Sequence, residues 1–435
     1  MKSNHSPTGW LPLLSGILLV LGAVIMRPYG FFNESATLSG FWVALIVMGV
    51  GFALSWRLPS VPPLFFWSLA VGPRLILFFM EPGDDIWRYL WEGQNQLLGY
   101  SPYHFSPDAP ALEFLRASWW PKINHPDVTA IYPPLAQLLF RALAAIQVSV
   151  SLFKSAFVAA DLGTCLLLVC AFGCARASLY AWNPLVIYCF SGGGHYDSWF
   201  ILAVVAAWLL ADGPGNEHGR RSWPWSALLI GVSVALKWIS LPLLGFLVWH
   251  ALRLGRLTQA AMITLLGILP LALCALAFCG DSSCPLIPTG SLFVTRGRNA
   301  DFIPHLVALI WPATVQSNAI YGLVLLVVVV GIALRSKNLN EFAQTYWPAM
   351  LLLSPIIHIW YFTWWIPFGV PSQAWGVRLI SLSGFFYFPF PATPPDWHLS
   401  TLQRMGLWLP LIHGWLLSSK PWNRIQSLAD QGNQG

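Results

Sequence analysis

An acidic pair stands directly after an apolar block of the chain. Asp84 and Asp85 follow the apolar stretch at 61–80 and precede a polar, aromatic-rich stretch at 86–103. Ionisable groups beside hydrocarbon are costly and tend to be functional. A carboxylate within reach of a hydroxyl can act as a general base, and carboxylate oxygens also suit Mg or Mn. The pair therefore predicts a catalytic or metal-binding site. The alternative is that one Asp only caps a helix that begins near Ile86.

Further polar side chains interrupt other apolar stretches. Arg88 lies one helical turn after the acidic pair, which predicts a salt bridge with the pair or a phosphate contact. His195 and Asp197 follow three consecutive glycines, whose missing side chains allow a ligand to approach the backbone. Lys237 ends an apolar block, where a cation marks a pathway or a partner unless it snorkels to the interface. We predict substrate contacts for all four side chains.

Two more groups are candidates for substrate binding. His358, Trp360 and Tyr361 form an aromatic stretch whose rings are predicted to stack on a sugar or an isoprenoid. Interfacial anchoring is the alternative for the Trp and Tyr, and it explains the His less well. Arg296 and Arg298 lie in a predicted outer loop, against the usual distribution of positive charge. Outward guanidinium groups are suited to binding phosphate, and a solvated loop is the equal alternative.

The composition places these residues in a membrane protein. Of the 435 residues, 56% are hydrophobic and only 9% are charged, whereas soluble domains carry about 25% charged residues. The 25 Trp residues suit a membrane–water interface, where the ring is buried and its N–H stays hydrated. The net charge of +6 does not indicate a nucleic acid partner, because the basic residues fall mostly in short loops between apolar segments.

Apolar segments predict an all-α, polytopic fold in a single domain over residues 1–435. The expected spans lie at roughly 9–27, 38–55, 61–80, 132–148, 155–174, 192–211, 225–238, 239–252, 259–279, 317–334, 343–357, 360–376, 379–392 and 404–418. Several are shorter than the roughly 20 residues that a straight span needs, so we expect about 11 to 14 transmembrane helices. The first apolar run resembles a signal peptide but lacks a small-residue cleavage site, and it is predicted to be the first span.

The basic residues orient these spans. With the N-terminus inside, the predicted cytoplasmic loops contain Arg57, Lys154, Arg220, Arg221, Arg253, Arg256, Arg335, Lys337, Arg378, Lys420 and Arg424. This distribution follows the positive-inside rule. It places both termini in the cytoplasm and three segments outside, at about 81–131, 280–303 and 391–400. The candidate residues converge on that outer face, where Glu92, Tyr103 and Tyr132 are predicted to shape the first loop.

Seven cysteines are scattered along the chain, most of them in apolar runs, where they are expected to be small hydrophobic residues. Only Cys279 and Cys284 lie close enough, at the edge of the second outer loop, to make a disulfide plausible. An oxidising outer compartment would favour that bond. Free thiols are the equal alternative.

Four motifs follow one another along the chain. They are Asp84-Asp85-Ile86-Trp87-Arg88-Tyr89 with Gly99-Tyr100-Ser101-Pro102-Tyr103, then Ile131-Tyr132-Pro133-Pro134-Leu135, then Asn183-Pro184-Leu185 with Gly194-His195-Tyr196-Asp197, then Ser354-Pro355 with His358-Ile359-Trp360-Tyr361. In this order they resemble the motifs of type C (GT-C) membrane glycosyltransferases, over about residues 80 to 370. Within these enzymes the chain is most similar to bacterial polyprenyl-phosphate-mannose-dependent mannosyltransferases, and its first outer loop also resembles that of the glycosylphosphatidylinositol first mannosyltransferase. Tyr196 replaces the usual Asn of one motif, and Ile359 replaces the usual Pro of another.

The resemblance implies an inverting glycosyltransferase on the outer face of a bacterial inner membrane. Such an enzyme would move a sugar, with mannose expected, from a polyprenyl-phosphate donor to a glycolipid or glycan acceptor. Asp85 holds the motif position and is the expected base, with Asp84 as the second candidate. Membrane lipid is a further expected partner. A divalent cation, Mg or Mn, at the acidic pair stays open, because some relatives use a metal and others do not.

Two alternatives remain at this stage. A transporter or flippase for a lipid-linked glycan would depend on membrane-embedded polar groups such as Lys237, whereas the enzyme needs Asp85. Secondary transporters are expected to show internal repeats, and we find no convincing repeat in the sequence. A polymerase or ligase of surface polysaccharide would use a lipid-pyrophosphate glycan as its donor.

Overall fold

The computed structural model describes residues 9–30, 35–214, 222–279, 292–390 and 399–419. Within these ranges the chain folds into helices, with a long connection at 98–133, and the β structure is one isolated bridge between Asn299 and Ile356. The α-helices are α1 (Leu11–Met26), α2 (Ser35–Ser55), α3 (Pro63–Phe78), α4 (Asp85–Leu97), α5 (Pro134–Ile146), α6 (Val150–Ala181), α7 (Pro184–Ile187), α8 (Asp197–Asp212), α9 (Trp223–Leu236), α10 (Leu241–Arg253), α11 (Leu257–Ala275), α12 (Leu292–Arg296), α13 (Ile303–Ile310), α14 (Ala319–Arg335), α15 (Leu339–Leu353), α16 (Trp375–Ser383) and α17 (Thr401–Ser419).

Short segments of tighter or wider helix complete the architecture. A π-helix follows α7 at Tyr188–Gly192. The 3₁₀ segments are Arg27–Tyr29, Pro110–Leu115, Trp120–Lys122, Trp238–Ser240, Leu276–Phe278, Pro312–Gln316, Ile359–Trp364, Ile366–Gly369 and Gly384–Tyr387.

Four helices of the described ranges are long and apolar enough to cross a membrane. They are Leu11–Tyr29, Thr37–Ser55, Val150–Ala181 and Leu257–Phe278. Shorter apolar helices lie at Pro63–Phe78, Pro134–Ile146, Trp223–Leu236, Trp238–Arg253 and Ala319–Arg335. The prediction of an all-α, polytopic membrane protein is confirmed. The count of about 11 to 14 spans and the single-domain organisation stay predictions.

Some sequence predictions fall outside the described residues. These are Cys284 and therefore its pairing with Cys279, most of the second outer loop (280–291), most of the third outer segment (391–398), and Arg220, Arg221, Lys420 and Arg424.

Two predicted spans have a different structure. The segment at 132–148 contains α5, whose 13 residues extend only about 20 Å and cannot cross a hydrocarbon core about 30 Å thick. This helix packs along α4 instead. The segment at 360–376 contains two 3₁₀ segments that meet near Pro367. These two short segments stand in place of one long helix.

Lys154 lies at the same end of the helix bundle as the acidic pair. Its Nζ donates to the carbonyl of Met80 at 2.9 Å, just beyond the C-terminus of α3 and four residues before Asp84. The prediction that Lys154 faces the side opposite Asp84 is therefore wrong. Because α5 is too short to cross, α6 starts from the same end at which α3 finishes, and the direction predicted for this region reverses.

A buried ion pair joins α3 to α6. The guanidinium of Arg74 donates to both carboxylate oxygens of Asp161, at 2.6 and 3.2 Å, and both side chains are buried. Pairing and hydrogen bonding are what make such charges tolerable in an apolar interior. Arg74 also donates to the carbonyl of Ala181 at 2.6 Å, beyond the break in α6 at Gly173. Ser191 in turn donates to the Arg74 carbonyl, so this pair also anchors the segment that leads into the glycine run.

Candidate active site

The acidic pair lies where the chain passes from α3 into α4. The N–H of Gly83 donates to the carbonyl of Gly193 at 3.0 Å, which docks the connection onto the glycine run before α8. Gly194 adopts a φ of 76°, a left-handed conformation that glycine accommodates readily. Asp84 stands immediately before α4, but its side chain makes no capping hydrogen bond with that helix. Helix capping therefore does not account for Asp84.

Both carboxylate oxygens of Asp85 have protein neighbours. The amide of Asn124 donates to Oδ1 at 2.6 Å, and the hydroxyl of Tyr89 donates to Oδ2 at 3.3 Å. His195 Nδ1 lies 3.5 Å from Oδ2. Burial alone would raise the pKa of Asp85, but contact with His195, the nearby His358 and the Asn124 amide together hold that pKa well below its usual range. Asp85 is therefore a carboxylate at neutral pH.

Asp84 has different surroundings. Its side chain is exposed, yet removal of water by the surrounding protein raises its pKa, and the negative charge of Asp85 raises it further. His195 and Asn124 act in the opposite direction with smaller effects. Asp84 is thus accessible to solvent, whereas Asp85 is only partly exposed.

Three rings form a stacked column beside the acidic pair. The centroids of His195 and Trp360 are 3.7 Å apart with an interplanar angle of 21°, and those of Trp360 and His358 are 4.5 Å apart at 8°. The indole of Trp360 therefore stacks on both imidazoles, and stacking of this ring on a sugar or an isoprenoid stays a prediction. The column holds the His195 ring in place next to Asp85.

His358, at the end of this column, contacts two polar side chains that the sequence did not indicate as site residues. Its Nδ1 lies 3.2 Å from the Asn299 amide nitrogen and 3.2 Å from the Tyr387 hydroxyl. Burial lowers the pKa of His358 to about 4, so the imidazole is neutral at neutral pH. Neither Asn299 nor Tyr387 belongs to a recognisable motif. The isolated bridge between Asn299 and Ile356 brings the first of them to the site.

Lys237 and Asp197 form an ion pair inside an aromatic enclosure. Lys237 Nζ donates to Asp197 Oδ1 at 2.6 Å, and the indole N–H of Trp364 donates to the same oxygen at 2.7 Å. The ammonium lies 4.8 to 5.8 Å from the centroids of four rings, at Tyr196, Phe200, Tyr361 and Trp364. Asp197 is buried at the start of α8, where the helix dipole favours a negative charge. Lys237 retains 17% side-chain exposure, so part of this side chain stays open.

Tyr361 connects the column with this ion pair. Its ring packs edge-on against His358 at 5.3 Å and stacks on Trp364 at 4.1 Å. The structure therefore brings together His195, Asp197, Lys237, His358 and Tyr361 from distant parts of the sequence, beside the acidic pair. Tyr196, which replaces the usual Asn, is buried in an aromatic cluster that includes Tyr89, and it serves packing.

Arg88 has a different partner from the one that its spacing suggested. Its Nε donates to Glu92 Oε1 at 2.6 Å, and its other nitrogens donate to backbone carbonyls that include those of His125 and Val128. The prediction of a salt bridge with the acidic pair is wrong, because Glu92 lies one turn further along α4 and the Asp85 oxygens are occupied. Arg88 instead holds the loop that carries Asn124 against α4. Its contact with substrate stays a prediction.

The two arginines of the second outer loop, Arg296 and Arg298, have different surroundings. Arg298 donates to Asp301 at 3.0 Å and to the carbonyl of Thr314, and Arg404 donates to the same Asp301 at 2.7 Å. These contacts fix the segment that carries Asn299. Arg296 is exposed at the end of α12. A role for either arginine in substrate binding stays a prediction.

A metal at the acidic pair is compatible with its chemistry but would need ligands from outside this chain. Within the described ranges, no three His, Cys, Asp or Glu side chains are grouped closely enough to hold a metal ion. Mg is commonly bound by one or two carboxylates together with water and substrate phosphate. Asp84 and Asp85 are the residues of this site that fit such an arrangement.

Comparison with known proteins finds a family match that covers part of the chain. Residues 77–253 match the family model described as alpha-(1->6)-mannopyranosyltransferase, N-terminal domain. The matched segment includes Asp84, Asp85, His195, Asp197 and Lys237. No curated protein and no solved structure shows a match to the chain. The family match supports a glycosyltransferase that acts with mannose, and it confirms the resemblance of this chain to the type C membrane mannosyltransferases.

Proposed function

We propose that this protein transfers mannose from a polyprenyl-phosphate donor to a hydroxyl of a glycolipid or glycan, with inversion at the anomeric carbon. The observation that carries the proposal is that an acidic pair and a partly exposed lysine meet at one end of an apolar helix bundle. His195, Trp360 and Tyr361 lie between them. The mannosyltransferase family match supports the choice of sugar.

The reaction is a single displacement. The acceptor oxygen attacks C1 of the sugar on the face opposite the phosphate, and a new C–O bond forms. The bond between C1 and the phosphate oxygen breaks, and its electron pair leaves with polyprenyl phosphate. A carboxylate of the acidic pair takes the proton of the acceptor hydroxyl. A β-linked donor then gives an α-linked product, in keeping with the α linkage in the name of the matching family.

The departing phosphate gains negative charge, which the site must stabilise. Lys237 suits this task because Asp197 and four rings hold its ammonium, while part of the Lys237 side chain stays exposed. An ammonium donates three hydrogen bonds, and the Asp197 bond uses one. We propose that the others meet the phosphate, and that Arg296, exposed at the end of α12, lies in the path of the headgroup.

We place the site at the outer surface of a bacterial inner membrane, with both termini in the cytoplasm. The distribution of Lys and Arg supports this orientation. A lipid-linked donor reaches such a site from within the bilayer. The exposed apolar side chains of helices such as α11 and α14 provide a surface that lipid can cover.

The test is sugar transfer by purified protein from radiolabelled polyprenyl-phosphate mannose to a membrane lipid extract. We expect a variant with Asp84→Asn and Asp85→Asn together to lose transfer by at least about 100-fold, the contribution of a positioned base. Asp127→Asn, which changes an exposed Asp of the same outer segment, is the matched control and should keep full activity. Undiminished transfer by the double variant would contradict the proposal.

Three further measurements test the sugar, the flippase alternative and the metal. Replacing the mannose donor by glucose or pentose donors tests the sugar, and movement of donor lipid across a liposome membrane without transfer would favour the flippase alternative. If the acidic pair binds Mg or Mn, transfer should fall in EDTA and return when either ion is added. Transfer that EDTA leaves unchanged would remove the ion from the proposal.

A further inference from the structure

The two carboxylates of the acidic pair are adjacent in sequence but not equivalent in structure. Asp85 faces inward, where Asn124, Tyr89 and His195 surround its two oxygens. Asp84 is exposed and does not cap α4. The resemblance favours Asp85 as the base and leaves Asp84 as the second candidate.

We infer that Asp84, not Asp85, removes the proton from the acceptor hydroxyl, and that Asp85 is a positioning residue that orients His195 and Asn124 beneath it. This inference rests on the proposed glycosyl transfer. It assigns separate roles to the two residues and reverses the preference for Asp85 as the base that came from the resemblance.

The two carboxylates differ in how easily an acceptor hydroxyl can reach them. An incoming hydroxyl must bring its proton within about 2.6–3.2 Å of a carboxylate oxygen. The neighbours of Asp85 are not free to move aside: Tyr89 is buried and stacks on Phe140 at 4.8 Å, and Asn124 belongs to the loop whose carbonyls accept from Arg88. The exposed carboxylate of Asp84 is open to a hydroxyl that approaches from solvent.

The proton balance follows directly. As the acceptor oxygen bonds to C1, its proton moves to the Asp84 carboxylate, and the electron pair of the broken C1–O bond leaves with the phosphate. Asp84 then releases the proton to solvent, to which it is exposed. Asp85 neither gains nor loses a proton.

The experiment compares Asp84→Asn and Asp85→Asn in the transfer assay, with binding of the donor lipid measured separately. We expect Asp84→Asn to lose kcat by about 10²–10⁴-fold while it still binds donor. Asp85→Asn should keep measurable transfer. Its kcat should fall less than that of Asp84→Asn, and its binding of the donor lipid should stay as in the wild type.

The opposite pattern, an inactive Asp85→Asn with an active Asp84→Asn, would overturn the inference and leave the proposed function standing. Full activity in both single variants and in the double variant would overturn both. If both single variants are inactive, the variants Asp84→Glu and Asp85→Glu show which carboxylate is the base. Asp84→Glu should retain part of the activity because its carboxylate has room, whereas Asp85→Glu must fit among three fixed neighbours. Activity in Asp85→Glu alone would count against the inference.

Discussion

The imidazole of His195 stacks on the indole of Trp360, with ring centroids 3.7 Å apart, while its Nδ1 lies 3.5 Å from Asp85. This contact joins three segments that are far apart in sequence: the acidic pair, the glycine run and the stretch after α15. A ring held by stacking on one side and facing a carboxylate on another has little rotational freedom. The His195–Trp360 contact is therefore the junction on which the geometry of the site depends.

Removing the central ring of the column should loosen the site. In Trp360→Leu, both histidines lose their stacking partner, so we expect kcat of transfer to fall by roughly tenfold, in line with an aromatic pair worth about 0.5–1.5 kcal/mol. The KM for donor should change little. Trp225→Leu, at an exposed Trp of α9, serves as the control in steady-state kinetics. An unchanged kcat in Trp360→Leu would show that the column does not orient His195.

Lys237 and Asp197 should behave as a coupled pair. Lys237→Met leaves a buried, unpaired carboxylate, which typically costs about 3–5 kcal/mol of stability. The double variant Lys237→Met with Asp197→Asn removes that charge and should recover most of the thermal stability in detergent. We expect neither variant to recover transfer or donor binding. Recovery of donor binding by the double variant would argue against a phosphate contact by Lys237.

The ion pair between Arg74 and Asp161 should matter for folding and not for substrate contact. Arg74→Met is expected to destabilise the protein by about 3–5 kcal/mol, because Asp161 stays charged in an apolar interior. Arg74→Met with Asp161→Leu should restore the melting temperature and much of the transfer activity. Arg176→Met, at an exposed arginine of α6, is the control. A stable Arg74→Met protein would contradict this assignment.

Acid should destabilise the fold through His358. The pKa of this ring is about 4 in the folded chain and about 6.5 in an unfolded one, so the unfolded state binds more protons between these values. Stability is therefore complete above about pH 6.5 and is lost as pH falls towards 4. His358→Gln should flatten the melting temperature across that window. His413→Gln, at an exposed His of α17, should leave the slope as it is in the wild type.

The sequence by itself determined the membrane class and the acidic pair. Apolar length and scarce charge are properties of the local chain, so the all-α polytopic fold is visible without any contact. Charged groups beside hydrocarbon are costly wherever the chain goes, and this is why Asp84, Asp85, His195, Asp197 and Lys237 stand out in the sequence. The order of the motifs adds the resemblance to mannosyltransferases, which the family match confirms.

Only the tertiary structure decided how these residues meet. The Trp364 indole reaches Asp197 across 167 positions of the chain, and the Asn299 amide reaches His358 across 59. Such contacts depend on how helices pack, which no local pattern records. The same reason explains the two wrong predictions. Arg88 pairs with Glu92 and with loop carbonyls instead of with the acidic pair. Lys154 lies at the end of the bundle opposite to the predicted one, because α5 is too short to cross. The difference between Asp84 and Asp85 is also tertiary, since the fold surrounds the Asp85 oxygens with Asn124, Tyr89 and His195 and leaves Asp84 exposed.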